Sequence, residues 1–256
     1  MCRNLLWGLK QSNLLSTHFI ETTTTGVHGA PNFTIPEGFL TVETQDGRDI
    51  IPYAGMATSW YHMSKANDIN NLFLASRMWG LTVTDVRTSI VFGTQTEETR
   101  MDPLLDTRFN FDFYFGVVAN RFCAQALAGF PITVYGKGEQ KKPMITLDDA
   151  IRSLVRTVEL PADGGFHVYN QATMLISPKI LPIQLKKRGA GKGSKWTSGH
   201  CPTRGKKTKP IRCGWFKEML LPGRPSSLQD EINRIIRDLK PYRHTLRTYS
   251  DRFMNA

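Results

Sequence analysis

Apolar residues along this chain fall into two alternating periods, which predicts an α/β fold. Positions 4–11 place Leu5, Leu6 and Leu9 on one side of a helix. Positions 17–25 (THFIETTTT) are rich in β-branched residues and predict a strand. Gly26, Gly29 and Pro31 then break the pattern. A long polar connection over 30–55 follows, with a short hairpin expected at Asp46-Gly47. From 59 to about 80 the spacing predicts a helix of more than five turns, offering Leu72, Leu74, Ala75 and Met78 to a core. LTVTDVR (81–87) and SIVF (89–92) read as a buried strand and its extension. Positions 108–129 predict a second long helix, interrupted near Gly116. A strand at 132–135 closes on Gly136-Lys137-Gly138, a helix at 147–158 opens on Asp148 and Asp149, and another strand covers 165–170.

Beyond position 178 the periodicity fades into Gly-, Lys- and Ser-rich sequence up to 214. Order returns over 227–239, where Leu228, Ile232, Ile235, Ile236 and Leu239 share a helical face that Ser226 or Ser227 can cap. The chain contains no internal repeat.

Composition narrows the function classes. With 40% hydrophobic residues the chain can bury a core. No run approaches the roughly 18 apolar residues of a membrane span, and MCRNLLWGLKQSN is too short in apolar residues for a secretory signal. Cys2, Cys123, Cys201 and Cys213 are too irregularly spaced for a disulfide framework or a zinc module, so no metal is expected and a cytoplasmic setting is the default. The net charge of +11 suggests a polyanion partner until its distribution is read. Positions 164–217 contain no acid and 12 of the basic residues, which leaves 21 basic against 22 acidic residues elsewhere. The basicity belongs to one segment, so nucleic acid is an unlikely partner for the body of the chain. Binding of a polyanion through 186–212 is the alternative from a different functional class, and its sign is salt-sensitive binding lost on deleting that segment.

The chemistry concentrates in Tyr61-His62-Met63-Ser64-Lys65, a Tyr-x-x-x-Lys early in the long helix. Residues four apart share a helix face. A phenol ordinarily titrates near pH ~10, and an adjacent ammonium favours its ionised form. Such a pair can take a proton from a sugar hydroxyl. The motif alone arises by chance on helices. The Thr-rich strand end that precedes it adds weight, because sites in doubly wound sheets gather at the carboxyl ends of strands. Thr24 or Thr22 is expected to point at such a site.

Thr24, Tyr61 and Lys65, with TTTTGVHGAPNFTIPEGF (22–39), WYHMSKANDINNLF (60–73), TDVRTSIVFGTQTEET (84–99), FGVVANRFCAQALAGFPITVYGKGEQKKPMITLDDA (115–150) and FHVYNQ (166–171), resemble the extended short-chain dehydrogenase/reductase family, the NAD-dependent epimerases and dehydratases. Within it they are most similar to the UDP-sulfoquinovose synthase group. The resemblance covers about 4–177 and returns weakly at 216–243. It implies a partial Rossmann-like doubly wound parallel sheet lacking its first β-α units, plus a smaller α/β substrate-binding domain. The expected divisions are 1–95 (remnant of the NAD-binding domain with the catalytic helix), 96–177 (nucleotide-sugar region), 178–214 (basic irregular segment) and 215–256 (helical end of the substrate domain).

The activity implied is conversion of UDP-glucose and sulfite to UDP-sulfoquinovose, with NAD oxidising C4, the 6-hydroxyl leaving, sulfite adding at C6 and the hydride returning. Tyr61 is then the C4 base, Lys65 its activator and a ribose contact, Thr24 a substrate-hydroxyl contact, and His62 a proton carrier in the elimination. A helix-surface or packing histidine is an equally good reading of His62. Ser89 and Val91 fall on the nicotinamide side. Asn120, Arg121, Thr133, Val134, Tyr135, Gln140 and Lys142 fall on the uridine diphosphate side. Lys142 stands where the family usually has Arg, which keeps charge but loses forked hydrogen bonding. A homodimer through the long helices is also implied.

Two departures stand out. The family opens with a Gly-x-x-Gly-x-x-Gly turn that brings a helix N-terminus to the pyrophosphate, and this sequence has none. NAD binding by the chain is therefore expected to be weak, and any strand that would pair with the missing ones is expected to become an edge. The acid-free stretch over 178–214 is what an out-of-frame segment would produce. An inactive remnant and a related epimerase or dehydratase are the remaining alternatives.

Overall fold

The computed structural model describes residues 2–29, 31, 33–112, 115–135, 138–181, 185, 196–199, 221 and 223–253. Most of the basic segment, including His200, Cys201 and Cys213, lies outside the described residues. The chain divides into two units interleaved along the sequence: Met1–Ser89, Ala150–Thr173 and Ile211–Arg224 form the first; Ile90–Asp149, Met174–Pro210 and Pro225–Ala256 form the second.

The first unit contains helices α1 (Cys2–Gln11) and α2 (Trp60–Trp79), and strands β1 (His18–Thr24), β2 (Leu40–Thr44), β3 (Gly47–Ile51) and β4 (Thr82–Thr88). β2 and β3 form the hairpin expected at Asp46-Gly47. Strand β8 (Phe166–Gln171) completes a parallel sheet of order β1-β4-β8. β1 is an edge among the described strands. Helix α2 ends at Gly80, whose left-handed φ of 68° lets its N–H return to Ser76. The helix buries Ala66, Ile69, Leu72, Ala75 and Ser76, a row at three- and four-residue spacing. Leu72, Ala75 and Val83 pack with Leu6 of α1. Leu74 and Met78 are exposed, contrary to the core role expected for them, because they fall outside that row.

On the α2 side of the sheet the pairing places Thr23, Asp85 and Arg87 together. Thr23 donates to Asp85, and Arg87 Nε donates to the other carboxylate oxygen at 2.8 Å. Arg87 Nη1 donates to His28 Nε2 at 3.2 Å and to the Tyr53 carbonyl at 2.8 Å. Asp85 and Arg87 are fully buried, so each charge depends on its partners. Burial pushes the Asp85 carboxyl up against the opposing pull of Arg87. Burial, then Arg87, pushes His28 down to about 3.

The second unit holds β5 (Ile90–Phe92), β6 (Ile132–Tyr135), β7 (Lys142–Thr146), β9 (Met174–Ile176) and β10 (Trp196–Gly199), with helices α3 (Val118–Ala128), α5 (Leu228–Leu239) and α6 (Arg243–Thr248). Helix α4 (Leu147–Val158) crosses the division of the chain. β5 and β7 are parallel, β7 and β9 antiparallel, and β6 pairs with β10 in parallel. Phe92, Phe122, Ile132, Met144, Ile232 and Ile235 share its core. Ser227 caps α5 by accepting from Asp230 N at 3.1 Å, while Ser226 bonds Asp149. The helix expected over 108–129 begins only at Val118. Phe109 and Phe111 alternate and pack on the core, which favours an extended approach, and Asp112 turns the chain through bonds to Phe115 N and Gly116 N.

Candidate active site

The first turn of α2 sets the geometry. Ser59 caps it by accepting from His62 N at 3.1 Å, and Tyr61 and Lys65, four residues apart within the helix, stand one turn apart on one face. Lys65 Nζ donates to Glu21 Oε1 at 2.8 Å and to the Thr22 carbonyl at 3.0 Å. Burial alone lowers the Lys65 pKa, but the Glu21 hydrogen bond and charge, with Tyr61 and Asp68, hold it above its ordinary value. Tyr61 is thus within electrostatic reach of the ammonium, and the residue is 57% exposed, open to a ligand.

Thr24 lies at the end of β1 and accepts from Gly26 N at 3.1 Å, opening the 3-10 turn Thr25–His28. The His62 ring packs against Gly26 so closely that a Cβ there would meet Nε2 at 2.3 Å. His62 Nδ1 shares a hydrogen bond with Thr58 Oγ1 at 3.0 Å, and its ring centre lies 5.4 Å from that of Tyr61. Thr24, Tyr61, His62 and Lys65 therefore gather at the carboxyl end of β1. Thr22 contributes its carbonyl, and Thr23 points to buried Asp85 instead. Sequence reasoning overlooked Glu21 and Thr58. Glu21 is the sole acid within β1, and that isolation was the available signal.

Ser89 follows β4 and donates its N–H to the Gln171 carbonyl at 3.0 Å, while its buried Oγ has no partner among the described residues. In the second unit Val91 and Asn120 line a cleft of about 210 Å³, together with Gly93, Thr94, Arg108 and Phe109. Asn120 is held by both backbone groups of Gly93. Arg121 is buried, with its guanidinium 6.0 Å from the Phe122 ring centre. Thr133 is buried against Gln125 and Val134 belongs to the core, so neither lines the cleft. Gln140 is partly buried, and Lys142 opens β7 opposite Ile176. The Tyr135 backbone pairs in β6, and its side chain lies outside the described residues, as do Gly136 and Lys137. Among the described residues no cluster of His, Cys, Asp and Glu is arranged to hold a metal, and no helix is long and apolar enough to cross a membrane.

No family model matches the chain. Over 188 residues it is 39% identical to the chloroplastic UDP-sulfoquinovose synthase of Spinacia oleracea, a match spanning 73% of this chain and 39% of that protein. Over 245 residues it is 34% identical to the UDP-sulfoquinovose synthase of Sulfolobus acidocaldarius, spanning 91% of this chain and 60% of the relative. The chain belongs to the extended short-chain dehydrogenase/reductase family. It is a UDP-sulfoquinovose synthase-like member of that family, and it spans less than two thirds of the length of either curated relative. Among solved structures, the UDP-glucuronic acid 4-epimerase of Bacillus cereus in complex with NAD superposes with a TM-score of 0.65 at 19% identity, covering 93% of this chain and 67% of the epimerase. This likeness shows the Rossmann-like fold of the epimerases and dehydratases.

The residues present fit the nicotinamide-ribose end of such a cofactor. Ser89 Oγ is an orphaned buried hydroxyl just past the carboxyl end of a parallel strand, where ligands of doubly wound sheets bind. Lys65 spends two of the three N–H donors of an ammonium on Glu21 and Thr22.

Proposed function

We propose that this chain carries the proton-handling and sugar-facing residues of an NAD-dependent nucleotide-sugar enzyme, and that its reaction joins UDP-glucose and sulfite to give UDP-sulfoquinovose. The observation that supports this most is the Lys65 ammonium set within electrostatic reach of an exposed Tyr61, with Thr24 and His62 gathered beside them. The curated relatives, both named UDP-sulfoquinovose synthase, support the choice of substrates.

In this reading Tyr61 takes the proton of the sugar 4-hydroxyl, and Lys65 stabilises the charge that develops on the phenol oxygen. Thr24 Oγ1, which already accepts from Gly26, can donate its own hydrogen to a sugar oxygen. Thr58 and Gly26 fix the His62 ring, which carries the proton lost from C5 to the departing 6-hydroxyl. NAD, when bound, supplies the hydride acceptor; Lys65 and Ser89 are the residues that would hold its ribose and nicotinamide side. Asn120 and Arg108, on the cleft of the second unit, are assigned to the nucleotide diphosphate.

The test is to incubate the chain with NAD and UDP-glucose, with and without isotopically labelled sulfite, and separate the nucleotide sugars. Labelled UDP-sulfoquinovose from the natural chain, lost in Tyr61→Phe, is expected. A sulfite-independent C4 epimer or 4-keto sugar would move the assignment to an epimerase or dehydratase. No turnover, with NAD and UDP-glucose both failing to bind, would sink the enzymatic reading.

A further inference from the structure

The partners of Lys65 are unusual for a residue meant to serve a phenol. Its ammonium lies 2.8 Å from a carboxylate and 3.0 Å from a carbonyl, and both belong to β1. The ion pair is partly buried, with side-chain exposures of 23% and 21%, so water screens it less than a surface pair. Asp68 adds a second negative charge on the same helix face, one residue short of the next turn from Lys65. The positive field that Lys65 can project at Tyr61 is set against the negative field of Glu21 from the same spot, because Coulomb terms of opposite sign at similar range offset each other. A ligand hydroxyl that needs the ammonium meets the same obstacle, since two of its three donors are taken.

We propose that Glu21 is a positioning residue that parks Lys65 on β1, so that ligand binding and proton transfer at the Tyr61 face must compete with Glu21 for the ammonium. The inference rests on the proposed function for the ligand it names, NAD, but the hold on Lys65 stands or falls independently. It also gives β1 a use for its lone carboxylate: Phe19, Glu21 and Thr23 share the α2-facing side, where Phe19 serves the core and Thr23 serves Asp85. Glu21 alone is spent on the site.

The experiment compares the full-length natural chain with Glu21→Gln, which keeps shape and a carbonyl acceptor while removing the charge. Glu21→Ser is the second variant should the first not fold. Trace acylation of amines, followed by peptide mass spectrometry, reads the reactivity of Lys65 against Lys10 as internal reference. Calorimetry then reads NAD affinity. Lys65 should label at least about threefold faster in the variant across neutral to mildly basic pH, because a partly buried partner that favours the protonated amine is gone. NAD should bind several-fold more tightly to the variant. Equal labelling of Lys65 overturns the proposal. So does NAD binding that is equal or weaker in the variant. If neither protein binds NAD while Lys65 labels faster in the variant, the hold by Glu21 is upheld and the cofactor reading alone fails.

Discussion

Asn120 reaches across the start of the second-unit cleft and clasps Gly93 by both backbone groups: its Nδ2 donates to the Gly93 carbonyl at 3.1 Å, and its Oδ1 accepts from Gly93 N at 3.0 Å. Gly93 has φ of 142°, a conformation other residues avoid, and a Cβ there would lie 2.8 Å from Glu231 Oε1. The turn that carries Thr94 into the cleft is thus fixed by a side chain 27 positions away.

Asn120→Ala leaves an amide and a carbonyl without partners in a largely buried place. The expected cost is about 1–3 kcal/mol of stability, read from denaturant midpoints. Asn120→Asp keeps the acceptor for Gly93 N but turns an oxygen toward the Gly93 carbonyl, so it should be no better than alanine above the carboxylate range. A variant as stable as the natural chain would show that the clasp is not formed in solution.

Gly26→Ala tests the placement of His62. The backbone at Gly26 needs no glycine-only conformation, yet the added methyl collides with the imidazole at 2.3 Å. The ring must leave its place and its bond to Thr58, while the fold loses little. Expected are a shifted His62 imidazole resonance in NMR spectra and turnover reduced by about a hundredfold to ten-thousandfold, the range of a lost proton carrier. An unchanged resonance would remove His62 from the gathered site.

Local chemistry made the helices and strands readable, and long-range pairing hid the rest. The β-branched run ending at Thr24 and the acidic start at Asp148 announce their elements within a few residues. Asp85 and Arg87 read as polar positions in LTVTDVR, yet both are fully buried because each supplies the other's partner. The phase of α2 is set by which side meets β4, so Leu74 and Met78 could pass for core in the sequence while facing outward. The Tyr61–Lys65 pair was legible from spacing. Its attachment to Glu21, 44 positions earlier, was not, since no local pattern encodes a contact at that separation.

His28 makes the first unit sensitive to acid. The ring is 1% exposed, held neutral by burial and by Arg87, with its pKa lowered to about 3. In the unfolded chain it takes up a proton near its ordinary 6.5. The unfolded state then binds more protons than the folded one, so the contribution of His28 is complete above pH 6.5 and is lost as pH falls toward about 3. Replacing it with Gln, which keeps an acceptor for Arg87, should flatten the fall in stability between those limits. Denaturation midpoints taken at steps of pH read this directly; an equally steep fall in the variant would assign the acid sensitivity elsewhere.

Glu231 produces the opposite slope in the second unit. Its side chain is 2% exposed, and burial raises its pKa from 4.5 to about 7, with Arg234 pulling down and Asp148, Asp238 and Asp149 pushing up. Arg234 Nε stands 3.6 Å away and also serves Asp148, so the compensation is shared. Below pH 4.5 both states are protonated and the group costs nothing. Between 4.5 and about 7 the unfolded chain gives up the proton while the folded chain keeps it, so stability falls as pH rises and stays reduced above that window. Glu231→Gln removes the ionisation and keeps the shape. It should be no more stable than the natural chain at the acid end of the window. Its advantage should grow through the window to about 1–3 kcal/mol at the basic end, read from denaturant midpoints at matched salt. An advantage that does not grow with pH would mean that Arg234 fully offsets the buried charge.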